Sequence, residues 1–190
     1  MPMVGERVDK TMSTANNRFY VPAADYCLEL HDYITSLWGS PPGDVDFIVR
    51  IGSRLLFIEA KRQITEKPGE FCRKSECLNA LRCAGKEYDR AIVKKHFSSL
   101  LHFWSLGYEA VGDPLQKHYI LLIENDMEGD PKSRRGLRNR IAEAGLNFKG
   151  NGGIFSILNE FHVMDINELQ SEFPEITIEP ISTQQEHKQA

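Results

Sequence analysis

Residues Asp46 to Lys61 read D-F-I-V-R-I-G-S-R-L-L-F-I-E-A-K. Phe47, Ile48, Val49 and Ile51 make one β-branched and aromatic run, and Leu55, Leu56, Phe57 and Ile58 make another. Such runs favour strands. Ile51, Gly52, Ser53 and Arg54 lie between them, so a tight antiparallel hairpin is the expected connection. Strand side chains alternate faces with a period of two. Glu59 and Lys61 therefore share a face, with Ala60 turned to the other, and Asp46 shares its face with Ile48 and Arg50. The hairpin is expected to lay Asp46 across from Glu59.

An unpaired buried charge costs several kcal/mol, so acids turned inward at the end of apolar strands need a cation. A divalent metal ion supplies one. Mg²⁺ takes oxygen ligands in near-octahedral geometry and keeps several waters. Asp46 and Glu59 can each give a carboxylate oxygen, and Ala60 its backbone carbonyl. A metal lowers the pKa of its water and offsets charge developing on a phosphate under attack. Lys61 beside that water would orient the nucleophile and stabilise the transition state. Asp44 competes with Asp46 in the stretch P-P-G-D-V-D. Asp46 abuts the apolar run, and Asp44 is expected to cap the turn after Pro41, Pro42 and Gly43.

An acid heading one strand and E-x-K closing the next resembles the PD-(D/E)xK nuclease signature. The resemblance covers about residues 25 to 125, with the tight motif confined to Asp46–Lys61; the usual proline immediately before the Asp is absent. It implies a restriction-endonuclease-like α/β core, a mixed central β-sheet flanked by helices. It also implies a Mg²⁺-dependent phosphodiesterase, with Mn²⁺ able to substitute, acting as an endonuclease on DNA in preference to RNA. A homodimer would suit cleavage of both strands. The other reading is a non-catalytic nucleic-acid or protein-binding module on the same fold.

The family often draws another acid from a helix before the hairpin. Tyr26, Leu30, Tyr33, Ile34 and Leu37 recur at helical spacing, which predicts a helix from Asp25 to Trp38 ending at Gly39. Glu29 lies beside that apolar stripe and reads either as a further metal ligand or as a solvated flank residue. His31 is a weaker candidate, by analogy with cap-snatching viral relatives of the fold.

Downstream, Lys74 to about Gly107 predicts two helices, or one bent near Gly85. They carry Arg73, Lys74, Arg82, Lys86, Arg90, Lys94 and Lys95, a basic set able to lie against a phosphate backbone. Arg62 and Lys86 are the nucleic-acid contacts nearest the motif. A second basic surface comes from Arg134, Arg135 and Arg138 on a helix capped by Ser133 and running to about Ala144, with Lys149 in the loop after it. Each also reads as an ordinary solvated charge. Tyr119–Ile123 predicts a strand buried on both faces. Phe161–Met164 predicts a last strand, and Asp165 with Glu168 a capping box for a short final helix. Val4–Val8 or Phe19–Val21 offers an extra edge strand.

At 190 residues and 41% hydrophobic content the chain can bury a proper core. One domain is expected over residues 20–175, between a flexible segment at 1–19 and a disordered tail at 176–190. A net charge of −4 and a pI of about 5.9 argue against a general nucleic-acid coat, but leave room for a local basic surface around an acidic site. No apolar run is long enough to span a bilayer and the N-terminus is polar, so a cytoplasmic protein is expected. Cys27, Cys72, Cys77 and Cys83 lack the C-x2-C spacing of most zinc sites and read as buried free thiols.

Overall fold

The Gly52-Ser53 turn is the pivot of the structure. Gly52 sits at φ +57 and Ser53 does not share the positive φ, the pattern of a type II′ hairpin that favours glycine first. Around it β4 (Phe47–Ile51) and β5 (Arg54–Lys61) pair antiparallel, with Ile51 opposite Arg54 and Phe47 opposite Ile58. The expected hairpin is present, and its register continues to set Asp46 against Glu59.

The computed structural model describes residues 10–14, 17–30, 43–61, 86–107, 114–124, 135–136, 138–139 and 158–181. Over these the architecture is mixed α/β with two sheets. The larger has the order β3-β4-β5-β6-β7, where β3 is Tyr26–Leu28, β6 is Gln116–Ile123 and β7 is Glu160–Asp165. The pairs β3–β4 and β4–β5 are antiparallel, whereas β5–β6 and β6–β7 are parallel. The smaller sheet, β1-β2-β8, joins Thr11–Ser13, Asn17–Tyr20 and Thr177–Pro180, all antiparallel.

Two cores follow from the period-two pattern. On one face Ile48, Leu55, Phe57, Tyr119, Leu121 and Phe161 pack beneath helix α1 (Lys86–Ser105), through its Ile92, Leu100 and Phe103. On the other, Phe47, Leu56, Ile58, Ile120 and Leu122 meet Met12 and Phe19 of the small sheet and Leu169 and Phe173 from helix α2 (Ile166–Glu172) and the residue after it. With both faces covered, β6 is buried from Lys117 to Ile123, which is why its run Tyr119–Ile123 is continuously apolar rather than alternating. Gly107, at φ +74, ends α1, with its N–H donating to the Trp104 carbonyl. Asp165 caps α2 in the expected capping box with Glu168.

Several expectations need correction. Tyr26–Leu28 is a strand, not the first turn of a helix: its three residues are buried, and they pair with Arg50, Val49 and Ile48. Burial on both sides decided what helical periodicity had left open. Glu29 and the buried Cys27 accordingly sit after and on β3, and the rest of the predicted helix from residue 31, His31 included, lies outside the described residues. The supposed flexible ends begin too far in. Thr11–Ser13, Asn17–Tyr20 and Thr177–Pro180 are paired strands that cover the sheet's second face. Asn17–Tyr20 is therefore no edge of the main sheet, and the strand at Glu160–Asp165 is not the last.

Candidate active site

Glu59 stands on the α1 face of the large sheet, where parity places it with Phe57, which packs under α1, and Asp46 immediately precedes β4 at the same end. Asp46 is half-buried, and its Oδ2 accepts a hydrogen bond from the Ala60 N–H at 2.8 Å. That bond ties the acid to the second strand and fixes where its carboxylate sits. Glu59 is buried, with its side chain 1% exposed. Its Oε1 accepts from Lys95 Nζ at 2.6 Å. The Ala60 side chain packs on the opposite core, as the alternation requires.

Lys95 was expected on a solvated basic surface and instead turns inward. The reason lies in the spacing of Lys95, Ser99 and His102, which puts all three on one stripe of α1. Each meets the chain between Gly43 and Glu59. Lys95 reaches Glu59, and its aliphatic stem packs so closely on Gly43 that a Cβ there would stand 3.4 Å from Lys95 Cγ. Ser99 Oγ accepts from the Val45 N–H at 2.8 Å and donates to the Lys95 carbonyl. His102 Nδ1 lies 2.8 and 3.0 Å from the two oxygens of Asp44. The turn that Asp44 was expected to cap has its prolines outside the described residues. Asp44 is fully buried and anchors α1 against the acid-bearing segment.

Of the other predicted site residues, Lys61 pairs through its backbone with Ile123, and its side chain lies outside the described residues. So do Arg62, Arg134, Lys149, Cys72, Cys77, Cys83 and the Lys86 side chain. Glu29 is half-buried just after β3, beside the strand that pairs with β4. Arg135 and Arg138 are helical and exposed; Arg138 lines a cavity beside His162 on the opposite face of the sheet from Glu59. The structure brings together Asp46, Glu59 and the Ala60 backbone, and adds Lys95.

The donor set suits a hard cation. Asp46 just before β4 and Glu59 on β5 are both carboxylates, Glu59 is buried deeply enough to need a counter-charge, and the Ala60 main chain adjoins Asp46. Here the Lys95 ammonium supplies that counter-charge to Glu59.

A second cluster was not anticipated. His118 at the start of β6 and Glu160 and His162 on β7 bring ligand-capable atoms within 4.8 Å of one another. The one legible signal was E-F-H at residues 160–162, which places an acid and an imidazole on one strand face. Burial above all, and then the neighbouring His118, pushes His162 down to about 4, against the pull of Glu160. His118 is lowered too, chiefly by burial.

Comparison with family models, with curated proteins and with solved structures returned no match. Among the described residues no helix is long and apolar enough to cross a membrane.

Proposed function

We propose that this protein is a Mg²⁺-dependent nuclease that hydrolyses phosphodiester bonds, acting as an endonuclease on DNA. The observation that carries the reading is the hydrogen bond from the Ala60 N–H to Asp46, which ties the acid just before β4 to the strand that carries the buried Glu59. The chain order adds support: three antiparallel strands, a helix, then a strand parallel to the third is the core arrangement that the resemblance implies.

Asp46 and Glu59 would hold the ion, with the Ala60 carbonyl as a third oxygen and Glu29 as a further ligand. Mn²⁺ would substitute for Mg²⁺. When bound, the ion supplies an activated water and charge stabilisation at the phosphate. The chain's own residues do the rest. The Ala60 N–H holds the Asp46 carboxylate in place. Lys95 sets its ammonium 2.6 Å from the buried Glu59 carboxylate. Lys61, next on the Glu59 face, would orient the attacking water and meet the developing charge. Lys94 of α1 and Arg135 and Arg138, all exposed, are the backbone contacts this reading offers, and a homodimer would let two such sites cut both strands.

A second reading has its own observation. The Lys95–Glu59 ion pair gives Glu59 Oε1 a counter-charge without any metal, as it would in a binding module that kept the fold and lost the chemistry. Plasmid, linear DNA and RNA incubated with purified protein, with and without Mg²⁺ or Mn²⁺, separate the two. Cleavage of DNA that needs the ion and disappears in Glu59→Gln and Lys61→Ala supports the nuclease. Binding without cleavage in either ion supports the module, and cleavage of RNA alone would move the substrate.

A further inference from the structure

We infer that His118, Glu160 and His162 form a binding site for a first-row transition-metal dication of the Zn²⁺ class, separate from the Asp46–Glu59 pair. His118 precedes Ile120 and Leu122 on the sheet face that packs against the small sheet and α2, whereas Glu59 lies on the α1 face. The inference therefore does not rest on the nuclease reading.

Geometry comes first. His118 Nδ1 lies 3.2 Å from His162 Nε2, and His162 Nε2 lies 3.2 Å from Glu160 Oε2. A tetrahedral zinc ion with bonds of about 2.0 Å separates its ligand atoms by about 3.3 Å. Two of the three edges are thus already at ligand spacing. Glu160, whose side chain is 53% exposed, is free to swing and close the third. Neighbouring strands hold the other two donors, since His118 is the register partner of Glu160 and Ile120 that of His162.

A ring nitrogen carries either one hydrogen or one lone pair. A hydrogen on His162 Nε2 can be shared between Glu160 and the His118 Nδ1 lone pair; with that hydrogen on the far ring nitrogen instead, both facing nitrogens present lone pairs beside the carboxylate. A cation between the three would meet two nitrogen lone pairs and an oxygen anion at once. Both rings are buried, and His118 Nε2 has no hydrogen-bond partner among the described residues. Phe173 sets its edge against both imidazoles, at 5.7 and 6.0 Å between ring centres, and fixes their orientation.

The donor set selects the metal. Two imidazoles and a carboxylate suit zinc and its neighbours rather than Mg²⁺ or Ca²⁺, which favour all-oxygen shells. Three protein ligands leave coordination open, as in catalytic rather than closed structural sites. A cavity of about 320 Å³ lined by His162, Arg138, Glu168 and Glu172 adjoins the cluster and offers an entry path.

The test is calorimetric titration of the chelator-stripped full chain with Zn²⁺, paired with absorption spectra after Co²⁺ loading. The expected result is one tight site whose dissociation constant rises at least about 100-fold in His162→Asn and in Glu160→Gln, more than outer-sphere changes produce. Glu160→Gln alters an exposed side chain, so its loss of affinity cannot be blamed on misfolding. Glu59→Gln should leave zinc binding unchanged. The cobalt form should show d–d bands without thiolate charge transfer. Zinc binding that survives both cluster variants, a thiolate band marking the cysteines, or no zinc uptake by the wild type would each overturn the site.

Discussion

Lys95 Nζ lies 2.6 Å from Glu59 Oε1, so a helix that reads as a basic surface places one of its cations against the buried acid of the hairpin. Removing one partner of a buried ion pair leaves the other charge uncompensated, which costs about 3–5 kcal/mol. Lys95→Met should therefore lower stability by about 3 kcal/mol, read as the midpoint of denaturant unfolding. Added Mg²⁺ should recover part of that loss, because the ion would replace the missing counter-charge. The double variant Lys95→Met with Glu59→Gln should be more stable than Lys95→Met alone. An Lys95→Met protein as stable as wild type would show that the pair contributes nothing.

His102 meets both oxygens of the fully buried Asp44. His102→Ala should cost about 3 kcal/mol by leaving that carboxylate without the ring, and Asp44→Asn should cost less because it removes the charge too. Chemical denaturation of the two variants checks the order. The reverse order would mean that the ring acts by packing and not by its contact with the acid.

The hairpin makes a backbone prediction. Gly52 holds a positive φ that a β-branched residue adopts poorly. Gly52→Val should lower stability by about 1–2 kcal/mol and leave any nuclease activity per folded molecule unchanged. The turn lies at the end of the strands away from Asp46 and Glu59. A thermal melt and a cleavage assay on the same sample give both readouts.

His162 gives a pH dependence with a definite sign. Its folded-state pKa is depressed to about 4, below the ordinary value of 6.5. Between those values the unfolded chain binds the extra proton, so stability is fully present above about pH 6.5 and lost as pH falls toward about pH 4. The gap amounts to about 3 kcal/mol, as an upper figure, since His118, Glu160 and Arg138 all act on the ring. In metal-free protein, the denaturant midpoint should fall between about pH 7 and about pH 4.5, and His162→Asn should flatten the decline. An unchanged slope in the variant would assign acid sensitivity elsewhere.

The hairpin was legible because three signals agreed: two β-branched runs, a Gly-Ser turn and a period of two that set Asp46 against Glu59. The buried β6 was legible for the same reason, an unbroken apolar run from Tyr119. Tyr26–Leu28 was misread because three buried residues fit a helical stripe as well as a strand, and only pairing with β4 decides between them. The small sheet was missed because Thr11–Ser13 and Thr177–Pro180 are short, polar at the surface, and join residues far apart in the chain. Lys95 was visible as a charge on a helix, whereas His102 was not singled out. Which way that helix faces is a tertiary fact, and the acids it meets lie decades of residues upstream. His118 and His162 belong to different strands, so nothing local joins them.

The most direct test of the nuclease reading is calorimetric titration of Mg²⁺ into chelator-stripped protein carrying His162→Asn, so that the His118 cluster does not contribute, with and without Glu59→Gln. The account predicts uptake of Mg²⁺ by the protein with Glu59 intact and none when Glu59 is replaced. Equal uptake by both proteins, or none by either, would contradict it.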